Sequence, residues 1–338
     1  MLKIQGGVQN YAWGRLGSSS SVSKFIKDIK DNLPYAEYWL GTHPSCPSTI
    51  NNNPLSTITG QIPYLLKVLS ISKPLSIQLH PNKSQAEELF SHNPNLYPDS
   101  NHKPEMCIAR PSLKLFIGFR PSDEIVNMLQ ETPELYSLVG DNDLKVQLEK
   151  LYENEQVTME KVREYCQRIG SGVYADIGKH FPCDPGIFFA MFMNYVKLED
   201  GQALVIEAGV PHCYIEGDCI EAMACSDNVI RAGLTPKAKD VRTLLKILDY
   251  SQSKPNIIQV TPGSEKTFYV SGNKEFNVIK YSSSQNFRIS LRTPALCLIT
   301  EGKCWYNNTE FTAGDSSLIT EECLLETEGV EIYACFAD

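Results

Sequence analysis

The sequence predicts a mainly β fold interrupted by a helical insertion, and three observations predict it. Short apolar runs punctuated by Gly, Pro, Asn and Asp fill residues 1–120 and 181–260. Between about 121 and 180 the apolar spacing becomes helical, and from 261 to 338 short strand-and-turn units return. The expected organisation is therefore a discontinuous β domain (1–120 and 181–260), a helical insertion (121–180) and a C-terminal all-β sandwich or barrel (261–338).

Composition bounds the function. With 338 residues, 42% hydrophobic and 21% charged, the chain has the make-up of an ordinary globular protein with two or three cores. Thirty-one Lys+Arg against 40 Asp+Glu give a formal charge of -9, which argues against nucleic acid or an anionic membrane as the main partner. No apolar run approaches the roughly 20 residues that span a bilayer, and MLKIQGGVQNYAWG lacks the pattern of a secretory leader. Eleven scattered cysteines without a C-x-x-C pair suit reduced thiols, so a cytoplasmic protein is expected.

In chain order, residues 1–50 read as mostly β, with one possible helix over 21–31. His43 is expected to be a hydrogen-bonded structural histidine. Ile62 to Ser70 reads as a buried strand by composition. In Lys73 to Pro81 alternation puts Ser76, Gln78 and His80 on one face and Leu75, Ile77 and Leu79 on the other. A helix over Ser84 to Phe90 precedes Asn101 to Ala109, where Pro104 keeps Lys103 extended and Lys103 and Glu105 share a face.

Helical signals then take over: Ser122 and Thr132-Pro133 as starts, the stripe Leu144, Leu148, Leu151, and the stripe Val162, Tyr165, Cys166, Ile169, for about four helices. Ile187 to Met193 is a further apolar run, and Asp240 should cap a helix over Val241 to Leu248. The region from 261 onward contains no histidine and reads as scaffold.

The chemistry concentrates in residues 207–241, EAGVPHCYIEGDCIEAMACSDNVIRAGLTPKAKDV. Charged groups among apolar β residues must be paired, bound to metal or left facing water. Alternation groups His212, Tyr214 and Glu216, then Glu221, Met223 and Cys225 beyond a hairpin turn expected at Gly217-Asp218. The following loop, with Asp227, Arg231 and Lys237, suits an anionic ligand. Gln78, His80, Glu105 and His212, all at strand positions, form a mixed N/O set suited to Zn²⁺ with a net site charge of +1. Spacing alone carries this only weakly, since His212 lies far along the chain from the other three.

Four segments add to it: QNYAWG at 9–14, LSIQLHP at 75–81, HKPEM at 102–106 and PHCYIEGDCIEAMACSDNVIRAGLTPKAKDV at 211–241. On these the chain resembles the type I phosphomannose isomerases, zinc-dependent aldose–ketose isomerases of the cupin superfamily. The resemblance implies two cupin-like β-barrel (jelly-roll) domains plus an α-helical domain. It implies one Zn²⁺ per chain on Gln78, His80, Glu105 and His212. Leu79 departs from the family's alanine, on the apolar face.

The implied reaction interconverts mannose 6-phosphate and fructose 6-phosphate through a cis-enediol, supplying mannose 6-phosphate for GDP-mannose and glycoconjugate synthesis. Arg231, Glu221 and Lys103 are the expected catalytic residues, with Glu221, Lys103 or a zinc-bound water as the base. Ser76, Lys237, Asp227 and Tyr214 are expected at the substrate, Ser76 and Lys237 at its phosphate. Asp227 is expected to orient Arg231 or a sugar hydroxyl. The partner is a small sugar phosphate and the chain is expected to be a monomer. Two rivals remain at this level: a sugar-phosphate binding protein without turnover, and a metal-dependent cupin oxygenase.

Overall fold

The structure, a computed structural model, describes residues 1–261 and 263–338. Two large antiparallel sheets and a block of helices make up the chain. In the nine-stranded sheet the central path runs Met193–Glu199, Glu105–Phe119, His212–Ala224, Tyr64–Ile71, Glu37–Leu40 and Gly7–Gln9. Ala203–Ile206, Ile77–Leu79 and Ile230–Gly233 attach beside it. All eight residues of Tyr64–Ile71 are buried, so this strand reads as a continuous apolar run and not an alternating one.

The eight-stranded sheet is built from residues beyond 265 with one exception. The first strand, Leu2–Ile4, pairs with Ser316–Ile319, so residues 1–120 are shared between the two sheets. Ala295–Tyr306 and Cys323–Phe336 are much longer than the short strands the turn spacing predicts. A common core containing Tyr64, Leu66, Met106 and Ile220 on one side and Val278, Leu296 and Tyr333 on the other joins the two sheets.

The helical stripes bury as their spacing dictates. Leu144, Leu148, Leu151 and Val162 enter one core with Ile77, Leu79, Cys213 and Ile230, the apolar sides of three strands that carry candidate site residues. The helices therefore brace those strands from behind. Five helices, not about four, lie between Ser122 and His180. Pro133 opens one at its first turn, whereas Ser122 is already inside its helix and Thr132 makes no side-chain cap. Asp240 caps Val241–Ile247 through Thr243 N, and Asn82 forms a capping box with Gln85 at the head of Lys83–His92.

Three local expectations change. The possible helix over 21–31 is only a 3-10 turn, Ser21–Phe25. The apolar run at 187–193 is mostly the helix Gly186–Met191, fully buried, where periodicity cannot separate helix from strand. The hairpin turn at Gly217-Asp218 is absent: His212–Ala224 is one continuous strand. Gly217 is instead a bend, with φ 124° and a would-be Cβ 2.2 Å from Ser112 O, so no other residue fits. The register against Glu105–Phe119 shifts on either side of it, as at a bulge.

Candidate metal centre

Register brings residues distant in sequence side by side. His212 and Arg231 both pair with Gln78, which lies between them on a short central strand. Cross-strand partners share a face, so Gln78, His212 and Arg231 point the same way. Glu105 begins the neighbouring strand, opposite Met223 and Ile206, and His80 follows directly after Ile77–Leu79.

His80, Glu105 and His212 converge with ligand atoms all within 4.8 Å of one another, and all three are buried. Glu105 divides its oxygens between them: Oε1 lies 3.3 Å from His80 Nε2 and Oε2 lies 3.2 Å from His212 Nε2. Each imidazole is oriented from behind. His80 Nδ1 stands 2.7 Å from Asn228 O and His212 Nδ1 stands 3.1 Å from Val210 O. A carbonyl only accepts, so both Nδ1 atoms donate and both rings turn Nε2 toward the centre.

The donor set fits a divalent cation. His80 Nε2 is buried without a hydrogen-bond partner among the described residues, a costly arrangement unless something else occupies that lone pair. Burial pushes the His80 pKa down to about 4, against the pull of Glu105, which keeps the ring neutral at physiological pH. Burial works to raise Glu105, but Lys103, His80 and His212 together hold it well below the usual carboxylate range. Gln78 Nε2 lies 3.4 Å from His212 Nε2. A half-turn of the amide would present its carbonyl oxygen there instead.

Charged residues surround this centre. Lys103 Nζ is 3.0 Å from Glu105 Oε1. Behind it lies a pair not foreseen from the sequence: Lys67 Nζ sits 3.1 Å from Glu221 Oε2, with both side chains about 5% exposed. Lys67 also covers the Trp39 ring at 4.5 Å from its centroid, and Trp39 Nε1 donates to Glu37 Oε2. Burial opposes the Lys67 charge, but Glu221, Glu37 and Glu105 raise its pKa overall. Burial raises Glu221, against the lowering influence of Lys67, and the net shift is upward. A lysine inside the apolar run YLLKVLS was the available signal.

The remaining expected residues fall in different places. Tyr214 is buried and its hydroxyl donates to Glu221 Oε1 at 3.1 Å, across the bend at Gly217. Its one O–H is thereby engaged with the carboxylate. Asp227 is half exposed and pairs with His43 Nε2 at 3.4 Å, not with Arg231. That contact to His43, foremost, holds the Asp227 carboxyl below its ordinary value. His43 is thus hydrogen-bonded, as expected, but onto a candidate site residue. Ser76 Oγ is 3.4 Å from Gln78 Oε1. Arg231 is half-buried and makes no ion pair among the described residues. Lys237 lies on an exposed loop after Thr235.

Residues 1–61 and 55–122 match the model of the phosphomannose isomerase type I catalytic domain. Mannose-6-phosphate isomerase of Homo sapiens is 37% identical over 322 residues, covering 77% of this chain and 76% of that protein. The Candida albicans enzyme of the same name is 33% identical over 400 residues, covering 94% and 90%. Among solved structures, the apo form of mannose 6-phosphate isomerase from Salmonella typhimurium superposes with a TM-score of 0.88 at 25% identity, covering 100% of this chain and 99% of that one. A mannose 6-phosphate isomerase bound with zinc and yttrium gives the same score, identity and coverage. Taken with the His80–Glu105–His212 cluster, these likenesses show that the chain belongs to the type I phosphomannose isomerase family.

Proposed function

We propose that this protein is a zinc-dependent aldose–ketose isomerase that interconverts mannose 6-phosphate and fructose 6-phosphate. The observation that carries the reading is the buried His80–Glu105–His212 cluster beside an Arg231 that has no ion-pair partner among the described residues, in a chain over a third identical to mannose-6-phosphate isomerases. Gln78, His80, Glu105 and His212 would hold the ion. Bound Zn²⁺ supplies Lewis acidity, lowering the cost of negative charge on adjacent sugar oxygens.

The chain's own residues divide the remaining work. Glu221, raised by burial and steadied by Lys67 and Tyr214, is the proton-moving carboxylate. It takes the proton from C2 of the open-chain aldose and returns it to C1, while the O2 hydroxyl proton passes to O1. The cis-enediol forms between these steps, and no redox partner is needed. Arg231, with no carboxylate partner among the described residues, offsets charge developing on the substrate oxygens. Ser76 and Lys237 receive the phosphate. Asp227, anchored by His43, takes a sugar hydroxyl. Lys103, its ammonium 3.0 Å from Glu105 Oε1 at the edge of the metal set, joins Arg231 in offsetting charge on the substrate oxygens and would act as the base only after giving up its proton.

The same reading includes the fold: each sheet is assigned to a cupin-like jelly-roll domain, with 121–180 as a helical insertion domain packed behind the first and 261–338 as the C-terminal β domain. Mannose 6-phosphate, formed in the reverse direction, would feed GDP-mannose synthesis in the cytoplasm, from a monomeric enzyme. Turnover of mannose 6-phosphate in deuterated water tests the chemistry. Deuterium at C1 of the fructose 6-phosphate marks exchange through an enediol. Complete retention of the original C2 hydrogen over many turnovers would point to a hydride shift.

A further inference from the structure

We propose that Glu275, on a loop of the sheet that supplies no side chain to the metal centre, is a positioning residue that acts on Lys103 through His102. The inference rests on the assignment of Lys103 to the reaction. Residues 101–104 have no regular structure before the strand begins at Glu105. On one side they are fastened to the 224–228 segment. Asn101 Nδ2 donates to Cys225 O at 2.9 Å, Asn101 O accepts from Asn228 Nδ2 at 2.9 Å, and Pro104 O accepts from Ala224 N at 3.1 Å.

Between these two anchors, alternation turns His102 to the opposite face from Lys103. There His102 Nε2 donates to Glu275 Oε1 at 2.7 Å, across 173 residues of sequence. Lys103 itself contacts only Glu105 among its ion-pair partners in the described residues. The His102 link is therefore the hold on the far side of the peptide that aims the Lys103 ammonium.

Glu275 is itself on a firm support. Its loop joins the strands Lys266–Tyr269 and Asn277–Ser283. Ser271 N donates to Asn277 Oδ1 at 2.9 Å, Asn273 N to Ser271 Oγ at 3.0 Å, and Asp338 N to Lys274 O at 3.0 Å. The neighbouring Phe276 ring is fully buried in the core shared by the two sheets. Glu207 faces the same histidine: burial raises its carboxyl, while Asn273 and His102 draw it down. A carboxylate fixed to this frame locks one rotamer of His102. Without it, the 102–103 peptide is free to turn and Lys103 loses its direction.

The test compares zinc-loaded wild-type protein with Glu275→Ala, Glu275→Gln, His102→Asn, Lys103→Ala and the Lys103→Ala/Glu275→Ala double variant. Readouts are kcat, KM for mannose 6-phosphate, zinc stoichiometry and Tm. Glu275→Ala and His102→Asn should each lower kcat by about 10- to 100-fold, with KM within about twofold and zinc retained. Glu275→Gln keeps an oxygen acceptor for Nε2 and should recover most of kcat. In the double variant the Glu275 change should add nothing to the loss from Lys103→Ala, the signature of one shared route.

Wild-type kcat in Glu275→Ala, or additive losses in the double variant, overturns the proposal. So does a loss of kcat that tracks zinc or Tm and is not rescued by glutamine. If Glu275→Ala fails to fold, His102→Asn decides on the same criteria. Full turnover by Lys103→Ala is a separate result: it removes Lys103 from the reaction, and with it the route proposed for Glu275.

Discussion

The Lys67 ammonium stands 3.1 Å from Glu221 Oε2 in a place where neither group meets much water. Removing one member of such a pair leaves the other charge buried and uncompensated, which costs about 3–5 kcal/mol. The carboxylate avoids part of that cost by binding a proton, so the two residues set each other's titration.

This gives a signed pH prediction. Glu221 must be ionised to accept a proton, and its carboxyl is already raised by burial, so the acid limb of kcat/KM should lie above the pH at which a solvated glutamate titrates. Lys67 lowers the Glu221 pKa, so Lys67→Met should move that limb to higher pH. Rate profiles on zinc-loaded protein check this, and a limb unmoved by the substitution removes Glu221 as the base.

Glu105 contributes the only anionic ligand atoms of the predicted set and touches both histidines. Glu105→Ala should lose zinc and turnover together, with metal analysis after dialysis showing little bound ion. Full zinc occupancy in that variant would place the metal elsewhere.

Arg231 should separate binding of metal from chemistry. It neighbours Gln78 but has no carboxylate partner in the described residues, so Arg231→Ala should keep its zinc and lower kcat roughly 100-fold or more. Lysine should not restore it, because a point charge cannot reproduce the planar guanidinium fork. Steady-state kinetics alongside metal analysis decides.

Leu148 tests the brace behind the site. Its side chain is wholly buried in the core that holds Ile77, Leu79 and Ile230, so Leu148→Ala should cost about 2–5 kcal/mol in urea unfolding. A cost below about 1 kcal/mol would mean that the helical core does not carry those strands.

How far these features can be read from sequence depends on the range of the interaction. Alternation in LSIQLHP separates Gln78 and His80 from Ile77 and Leu79, because side-chain direction in a strand is local. The same is true of the Asp240 cap and of the Leu144, Leu148, Leu151 stripe. Gly217 misleads because a glycine followed by Asp suits a tight turn and a bulge equally well. Lys67, Trp39 and Glu37 meet Glu221 only through the register of strands far apart in the chain, and no local pattern encodes that pairing. Tyr214 was foreseen inside the site, but its partner depends on the bend at Gly217. The metal set itself came together on resemblance, since nothing in spacing ties His212 to Glu105.

The most direct measurement is conversion of mannose 6-phosphate to fructose 6-phosphate by the purified protein before chelation, after chelation, and after zinc is restored. Turnover that disappears with the chelator and returns with zinc is the predicted result. A fully zinc-loaded protein that binds the sugar phosphate but does not convert it would contradict the account and leave a binding protein built on the same fold.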